Sequence, residues 1–127
     1  MAKDIVKLVE RYHDALNRFD FAAVEKMFTE DAEYHSSGIG GLYGRDAILH
    51  AMKAYFNEFS DQVSTDDKLE LLSEGTVRAH WRLAATTKSS GRKVTRQGFE
   101  NIHFNIKGLI TMVEVEDVTL PHAEVRT

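Results

Sequence analysis

The sequence predicts an α+β domain in which three N-terminal helices pack on a strongly curved, mostly antiparallel sheet that encloses a pocket. Two observations lead to this prediction. The first half of the chain has apolar residues at helical spacing around one short strand, and the second half has long stretches in which apolar and polar residues alternate. Helices followed by hairpin-connected strands are typical of the α+β class. We expect one domain over residues 1–120 and a C-terminal tail over residues 121–127.

The first half of the chain begins with an apolar stripe at helical spacing. Its members recur every three or four positions: Ile5, Leu8, Val9, Tyr12, Leu16 and Phe19. This spacing predicts one amphipathic helix that buries a single continuous face. Asp20 is a typical N-cap residue and predicts that a second short helix begins directly after it. The inward residues of that second helix are expected to be Val24, Met27 and Phe28.

A short strand, a loop and a third helix complete the helical half. Residues 32–37 predict the strand, and four closely spaced glycines predict a flexible loop at the mouth of the pocket. Those glycines are Gly38, Gly40, Gly41 and Gly44. The buried side of the third helix is expected to carry Ile48, Met52, Tyr55, Phe56 and Phe59.

The second half of the chain predicts four antiparallel strands, over residues 69–73, 76–88, 94–106 and 109–118. The second of these strands shows the clearest alternation. Its polar positions are Arg78, His80 and Arg82, and its apolar positions are Val77, Ala79, Trp81, Leu83 and Ala85. Such a pattern predicts that one face packs on the core and that the other meets solvent or a partner chain.

Composition and charge exclude several classes of function. The chain has 127 residues, a net charge of −4 and no cysteine. Its basic residues are scattered, so no stripe of Lys and Arg is available to bind a nucleic-acid backbone. The lack of cysteine excludes disulfides, thiolate metal sites and cysteine catalysis. No apolar run is long enough for a signal peptide or a membrane span, which predicts a cytoplasmic protein with no membrane partner.

Motifs for metals and organic cofactors are absent from the sequence as well. The six histidines form no His-x-His or His-x-x-x-His pair, so a metal site would need ligands from different strands. The sequence contains no phosphate loop, no dinucleotide fingerprint and no G-x-S-x-G elbow. We therefore expect neither a metal nor another cofactor.

Glu100 is the first candidate for chemistry. Alternation along its strand puts it on the same face as Ile102 and Phe104, which is the face predicted to meet the core. Burial there would raise the pKa of Glu100 and favour the neutral acid, which can donate a hydrogen bond. A bulge that turns Glu100 outward, or a position at the pocket rim, is the alternative.

Three further residues are candidates, each with a structural alternative. Tyr12 is a polar group within the apolar helix stripe, where a core tyrosine with a backbone partner is also common. Asp117 continues an apolar strand face and is either a buried acid or the end of the strand. His35 has a side chain that titrates near neutral pH and could act as a general base, or it is a structural histidine.

Several groups of residues together carry a resemblance to known proteins. They are Arg11-Tyr12, Ala15-Leu16-Asn17 with Asp20, Phe28 with Asp31-Ala32, Gly91-Arg92-Lys93, and Phe104-Asn105 with Gly108. With them the chain resembles the ketosteroid isomerases, within the nuclear-transport-factor-2-like superfamily that also holds the SnoaL-type polyketide cyclases. The resemblance covers about the whole chain and implies a cone-shaped α+β barrel. Because one such fold hosts many reactions, it is weaker as a guide to any single reaction.

The resemblance also implies roles for individual residues. Tyr12 falls where those isomerases place their oxyanion-hole tyrosine, and Glu100 where they place a protonated acid that donates a second hydrogen bond. Their aspartate base is replaced by Ser36, whose hydroxyl needs an activating partner to move a proton. The base would then be His35, which needs a bulge to enter the pocket, or Asp117, which loosely matches an acid/base aspartate of the SnoaL-type cyclases.

Two functions from different classes are compatible with these residues. The first is an enzyme that isomerises, cyclises or dehydrates a small apolar carbonyl or phenolic compound by proton abstraction next to a carbonyl. The second is a non-catalytic ligand-binding or dimerisation domain that has lost its base, as Ser36 suggests. Domains of this kind commonly pair, so a homodimer is expected. The expected substrate-binding residues are Ser36, Tyr55, Phe56, Trp81, Ile102 and Phe104.

Overall fold

The structure confirms the predicted α+β fold. It is a computed structural model that describes residues 4–36 and 40–119. The helices within these residues are α1 (Ile5–Asn17), α2 (Phe21–Met27) and α3 (Arg45–Glu58). The strands are β1 (Phe28–Ser36), β2 (Gly40–Tyr43), β3 (Val63–Ser73), β4 (Thr76–Thr86), β5 (Lys93–Phe104) and β6 (Ile110–Asp117). The predicted tail over residues 121–127 lies outside the described residues, as does Gly38.

The strands form one curved sheet in the order β2-β1-β6-β5-β4-β3. Neighbouring strands are antiparallel except β1 and β6, which are parallel. Since β2 and β3 are edges, the sheet does not close on itself, and the barrel implied by the resemblance is open between them. Residues of α1 and α3 pack on the inner face and share one buried core with β1, β4, β5 and β6.

α1 ends in a turn that places Phe19 outside the helix. Phe19 has a φ of 56°, and its N–H donates to the carbonyl of Leu16 at 3.0 Å. The N–H of Asp20 donates to the carbonyl of Ala15 at 2.8 Å, which completes a Schellman arrangement. The prediction that Phe19 belongs to the helix was therefore wrong. Its ring packs on Phe56 of α3 instead, with ring centroids 5.2 Å apart.

The predicted N-cap of α2 is confirmed, but β1 begins earlier than expected. Oδ1 of Asp20 accepts a hydrogen bond from the N–H of Ala23 at 3.1 Å. Phe28, predicted as an inward residue of the helix, is instead the first residue of β1. It pairs there with Ile110 of β6, so a contact with a strand far along the chain ends the helix.

The glycine-rich segment, predicted as a loop, forms β2 in its described part. β2 pairs antiparallel with the end of β1, with Tyr34 opposite Leu42 and Ser36 opposite Gly40. Strand pairing uses backbone groups, so it does not need the side chains that glycine lacks. The hairpin therefore lengthens the sheet next to the predicted mouth of the pocket.

β3 begins at Val63, six residues before the predicted start at residue 69. The additional segment contains Asp66, Asp67 and Lys68, which are residue types that strands usually lack. Pairing with β4 and contacts to α1 stabilise it as a strand. β4, β5 and β6 match their predicted positions to within about two residues, whereas β1 begins four residues before its predicted start at residue 32.

The predicted alternation along β4 is confirmed. Val77, Ala79, Trp81 and Ala85 are buried, whereas Arg82 is exposed on the outer face. The largest side chains that are almost fully buried come from all layers of the fold: Tyr12, Phe28, Ile48, Ile102, Ile110, Val9, Val24, Val77 and Val113.

Gly98 is a close-approach position on the inner face of β5. It lies opposite Trp81 in the β4–β5 pair and opposite Asp117 in the β5–β6 pair. A Cβ at this position would be 2.0 Å from the backbone oxygen of Glu116 and 2.8 Å from Cζ2 of Trp81. Only glycine leaves room for the indole ring here, so this residue shapes the inner surface of the sheet.

We expect Gly98→Ala to lower the free energy of unfolding by about 1–3 kcal/mol, because the added methyl group overpacks a site bounded by backbone. Urea unfolding followed by circular dichroism measures this loss. Gly91→Asn is the matched control, since nothing lies within 4 Å of a Cβ at Gly91 and asparagine tolerates its φ of 71°. Equal stability of wild type and Gly98→Ala would contradict the steric role.

Candidate active site

A cavity of about 830 Å³ lies between the inner face of the sheet and the helices. Its lining is mainly apolar and aromatic, and includes Tyr55, Phe56 and Phe59 of the α3 segment and Trp81 of β4. Most of the charged side chains of the lining lie in two regions, one around His13 and Glu100 and the other around Arg96 and Asp117. Such a lining, apolar with a few polar groups, is typical of small-molecule sites.

At one end of the cavity the carboxyl groups of Asp66 and Glu100 both contact His13 of α1, and we call this the acidic end. Nδ1 of His13 is 2.6 Å from Oδ2 of Asp66 on β3, and Nε2 forms a very short contact with Oε1 of Glu100 on β5. His13 and Glu100 line the cavity. The side chains of His13, Asp66 and Glu100 are 12%, 17% and 10% exposed, so the three groups form a largely buried cluster.

His13 is an imidazolium in this cluster. In the cation both ring nitrogens carry a proton, so each can donate a hydrogen bond to one of the two carboxyl groups. Burial by itself acts to lower the pKa of His13. The charge of Glu100 and the hydrogen bonds to both carboxylates outweigh burial and raise the pKa from 6.5 to about 10. The cluster therefore carries one net negative charge at neutral pH.

A second contact between α1 and β3 helps to fix the position of His13. One turn after His13, the side-chain amide of Asn17 donates to the carbonyl of Ser64 at 3.0 Å and accepts from its N–H at 3.1 Å. Residues four apart on a helix rise about 6 Å, and residues two apart on a strand rise about 6.6 Å. His13 and Asn17 can therefore bind Asp66 and Ser64 side by side.

Two tyrosines lie close to Glu100. Tyr34 of β1 lines the cavity, and burial together with the negative charge of Glu100 raises the pKa of its phenol far above the usual value. Burial also raises the pKa of Tyr12, with smaller contributions from Tyr34 and Glu100. Both phenols therefore stay neutral at physiological pH and can donate hydrogen bonds.

The second polar region of the cavity is an ion pair between β5 and β6. Nη1 of Arg96 is 3.2 Å from Oδ2 of Asp117, and Oδ1 of Asp117 accepts from the N–H of Thr119 at 2.8 Å. Burial acts to raise the pKa of Asp117, but the hydrogen bonds from Thr119 and the charge of Arg96 bring it below the usual value. Nearby, Tyr55 donates to Oε1 of Gln62, and burial raises the pKa of the Tyr55 phenol.

The structure brings together some of the predicted site residues and separates others. Six of them line the cavity: Ser36, Tyr55, Phe56, Trp81, Glu100 and Asp117. Ile102 and Phe104 are core residues and are not part of the cavity lining among the described residues. Tyr12 is 1% exposed and packs edge-on against Phe28, so it lies in the core rather than on the cavity surface.

His35 does not line the cavity either. Its Nε2 is 2.9 Å from Oε1 of Glu33, and its ring packs edge-on against Tyr43 of β2. Ser36, the next residue, does line the cavity. This opposite placement follows from strand alternation, and the bulge that His35 would need to enter the pocket is not present in the described β1–β2 register.

The sequence interpretation missed His13, Asp66 and Tyr34. The inward position of His13 could have been predicted from the sequence, because His13 lies four residues after Val9 and three before Leu16, at the border of the apolar stripe. The inward position of Asp66 could not have been predicted in this way, because its segment lacks the sequence pattern of a strand. The sequence interpretation also gave Glu100 no partner, whereas the structure places Nε2 of His13 against its Oε1.

The described residues contain no group of three or more His, Cys, Asp or Glu side chains arranged to hold a metal ion. In the same part of the chain, no helix combines the length and the apolar character needed to cross a membrane.

The chain belongs to the SnoaL-like family. The model of the SnoaL-like domain matches residues 9–113, which include most of α1, the strands β1 to β5 and the first half of β6. A search of curated proteins finds no significant match. The superfamily that the sequence resembled is therefore confirmed.

Solved structures share this fold at low sequence identity. An NTF2-like protein of unknown function from Exiguobacterium sp. 255-15 has a TM-score of 0.78 at 16% identity, covering 88% of this chain and 98% of its own. SalBIII, an epoxide hydrolase/cyclase-like enzyme of salinomycin pyran ring formation, has a TM-score of 0.80 at 18% identity, covering 89% of each chain. A putative polyketide cyclase from Xanthomonas campestris pv. campestris has a TM-score of 0.74 at 18% identity, covering 88% of each.

We expect His13→Gln to lower the free energy of unfolding by about 3–5 kcal/mol, because it removes the cation that pairs two buried carboxylates. Urea unfolding at neutral pH measures the loss. A triple variant that adds Asp66→Asn and Glu100→Gln removes all three charges and should regain most of the stability. A loss below about 1 kcal/mol in His13→Gln would show that the carboxylates do not depend on the imidazolium.

The stability of the protein should fall as the pH rises through the pKa of His13. A raised pKa in the folded state means that the ion pairs contribute fully below the unfolded value of 6.5 and are lost as the pH approaches about 10. Urea unfolding across this range should show the decrease. His80→Gln, which changes a histidine paired with Glu70 on the outer face, should keep the slope. An unchanged slope in His13→Gln would refute the assignment.

Proposed function

We propose that this SnoaL-like protein is an enzyme that removes a proton next to a carbonyl group of a small, mainly apolar compound. The observation that carries the proposal is the placement of Glu100, a carboxylate 8% exposed, on the wall of a largely apolar cavity. A carboxylate in such a place has little competing water and meets the substrate directly. The resulting reaction would be an isomerisation, a cyclisation or a dehydration.

Glu100 is the proposed general base. One of its oxygens is held by His13, which fixes the orientation of the carboxylate, and Asp66 binds the opposite nitrogen of the same ring. Because Asp66 shares the positive charge of the imidazolium, the cluster as a whole keeps one negative charge. A fixed, anionic and partly desolvated group is suited to accept a proton from carbon.

Tyr34 is the proposed hydrogen-bond donor to the substrate oxygen. Its phenol lines the cavity, lies close enough to Glu100 to be affected by its charge, and stays neutral because its pKa is raised. When the base takes a proton, negative charge moves to the carbonyl oxygen, and a neutral donor held in place stabilises that charge. Tyr12 would support Tyr34 from the core side.

These roles differ from those that the resemblance implied. Both oxygens of Asp117 accept a hydrogen bond, Oδ2 from Arg96 at 3.2 Å and Oδ1 from the N–H of Thr119 at 2.8 Å, whereas His13 binds one oxygen of Glu100, Oε1. His35 faces away from the cavity, and Ser36 is left as a polar group on its wall. Glu100 then changes from the proposed hydrogen-bond donor to the proposed base.

The elimination of a nitrobenzisoxazole tests the base without knowledge of the natural substrate. In this reaction a base takes the ring C–H proton, the N–O bond breaks, and a coloured cyanonitrophenolate is released. We expect wild type to exceed Glu100→Gln in kcat/KM by about a hundredfold or more. The matched control is Glu114→Gln, which changes a glutamate bound to His103 on the outer face and should leave the rate unchanged.

The same experiment separates the enzyme from the alternative, a non-catalytic ligand-binding or dimerisation domain. Circular dichroism and urea unfolding must first show that Glu100→Gln is folded. A wild-type rate no higher than that of an equal concentration of acetate would reject the enzyme and favour the binding domain. A rate in Glu100→Gln equal to that of wild type would reject Glu100 as the base.

A further inference from the structure

The side-chain amide of Gln62 is a buried polar group on the cavity wall that the proposed mechanism does not use. Gln62 directly precedes β3, lines the cavity and is 9% exposed. Its Oε1 accepts a hydrogen bond from the phenol of Tyr55 on α3. Its Nε2 carries two N–H groups, and among the described residues neither of them has a hydrogen-bond partner. A buried donor without a partner costs free energy, so a ligand oxygen that accepts from it gains affinity.

The amide nitrogen of Gln62 is accessible from the cavity. In the described part of the chain, the unpartnered side-chain atoms that are closed to solvent belong to Arg45, Asp66 and Trp81, and not to Gln62. Because Gln62 is otherwise buried and lines the cavity, the access to Nε2 is from the cavity side. A molecule bound in the cavity can therefore accept a hydrogen bond from this nitrogen.

Contacts of the backbone and of the side chain hold Gln62 in place. Its N–H donates to the carbonyl of Phe59 at 3.0 Å, in the turn between α3 and β3. The ring of Tyr55 packs against the rings of Phe56 and Phe59, with centroids 5.2 and 4.8 Å away. Because the phenol of Tyr55 donates to Oε1, the amide oxygen points towards Tyr55 and the nitrogen is left for another partner. A donor that is fixed before binding loses little side-chain entropy when a ligand binds.

Gln62 and Glu100 lie at different levels of the sheet. Val63, which follows Gln62, pairs with Ala84 of β4, and Ala84 pairs with Thr95 of β5. Thr95 and Glu100 are five residues apart, which corresponds to about 16 Å along a strand. A ligand that reaches both the amide and the proposed base must therefore be elongated.

We propose that the substrate of this site is an elongated, mainly apolar compound with a second carbonyl group, whose oxygen accepts a hydrogen bond from Nε2 of Gln62. This inference rests on the proposed function, because it places the first carbonyl, next to the reacting carbon, at Tyr34 and Glu100. A carbonyl oxygen only accepts hydrogen bonds, which matches an amide nitrogen that only donates them. A substrate without the second carbonyl leaves this donor unpaired, so Gln62 determines specificity far from the reacting carbon.

Two ketones with the same carbon skeleton test the inference. The first is a linear bicyclohexyl diketone with a carbonyl at each far end, and its oxygens, extended by a hydrogen bond at each end, span on the order of 15 Å. The second is the corresponding monoketone. Trp81, the single tryptophan of the chain, lines the cavity and should report the binding of either compound by its fluorescence. We expect wild type to bind the diketone about tenfold more tightly, a difference of about 1.4 kcal/mol.

One variant and one matched control assign this preference to Gln62. Gln62→Met removes the amide and keeps a side chain of nearly the same length, so the diketone should bind no more tightly than the monoketone. The chain has one other glutamine, Gln97, whose exposed side chain is not part of the described cavity lining. Gln97→Met makes the same chemical change there and should keep the full preference.

A second measurement does not require Gln62→Met to fold. Protein labelled with ¹⁵N in its glutamine side chains gives amide signals from Gln62 and Gln97 only, and the signal that Gln97→Met lacks identifies each. Saturation with the diketone should move the Gln62 amide proton downfield, because the donor gains an acceptor, and should leave the Gln97 signal in place. The monoketone should move the Gln62 signal less. An unmoved Gln62 signal at saturation with the diketone would contradict the hydrogen bond.

Three binding results would overturn the inference: equal binding of the two ketones by wild type, a preference that persists in Gln62→Met, or no binding of either compound at its solubility limit. The failure of the proposed function is distinguishable, because the nitrobenzisoxazole has no ketone group and tests Glu100 alone. Wild type that eliminates this probe through Glu100 but binds both ketones equally would keep the base and reject the second carbonyl site. A preference for the diketone through Gln62 without elimination would keep the carbonyl site and reject the base.

Discussion

The imidazolium of His13 is the interaction on which the rest of this structure depends. It pairs with two carboxylates that lie 53 and 87 residues further along the chain, on β3 and β5. Each of these charges would be costly to bury alone, and only the arrangement of all three in one place compensates the cost. The position of α1 over the sheet, the inward turn of Glu100 and the shape of the acidic end of the cavity therefore depend on each other.

The open, curved sheet places this cluster at one end of the cavity. Because the inner face of β5 alternates regularly, the same strand presents Glu100 deep in the cavity and Arg96 nearer its start. Gly98 between them leaves space for Trp81, so the two charged regions are separated by an apolar surface. Different side chains at these inward positions would change the cavity without changing the fold, which is how one fold can host different reactions.

Part of the site could be predicted because it follows from strand alternation. Glu100 was expected to face inward from the residues beside it, and Ser36 and His35 were expected to face opposite sides; the structure places them in this way. The partner of Glu100 could not be predicted in the same manner. It is His13, which lies 87 residues earlier in the chain, so no pattern around Glu100 records the contact.

The sequence by itself determined the α+β class, the three helices, the alternation of the long strands and the cap at Asp20, because these follow from local periodicity and local hydrogen bonds. Only the tertiary structure decided that Phe28 begins a strand, that the acidic segment around Asp66 joins the sheet, and that Tyr12 is core while His13 reaches the cavity. The physical reason is that buried charges and strand pairing gain their stability from partners distant in the chain, which no local pattern records.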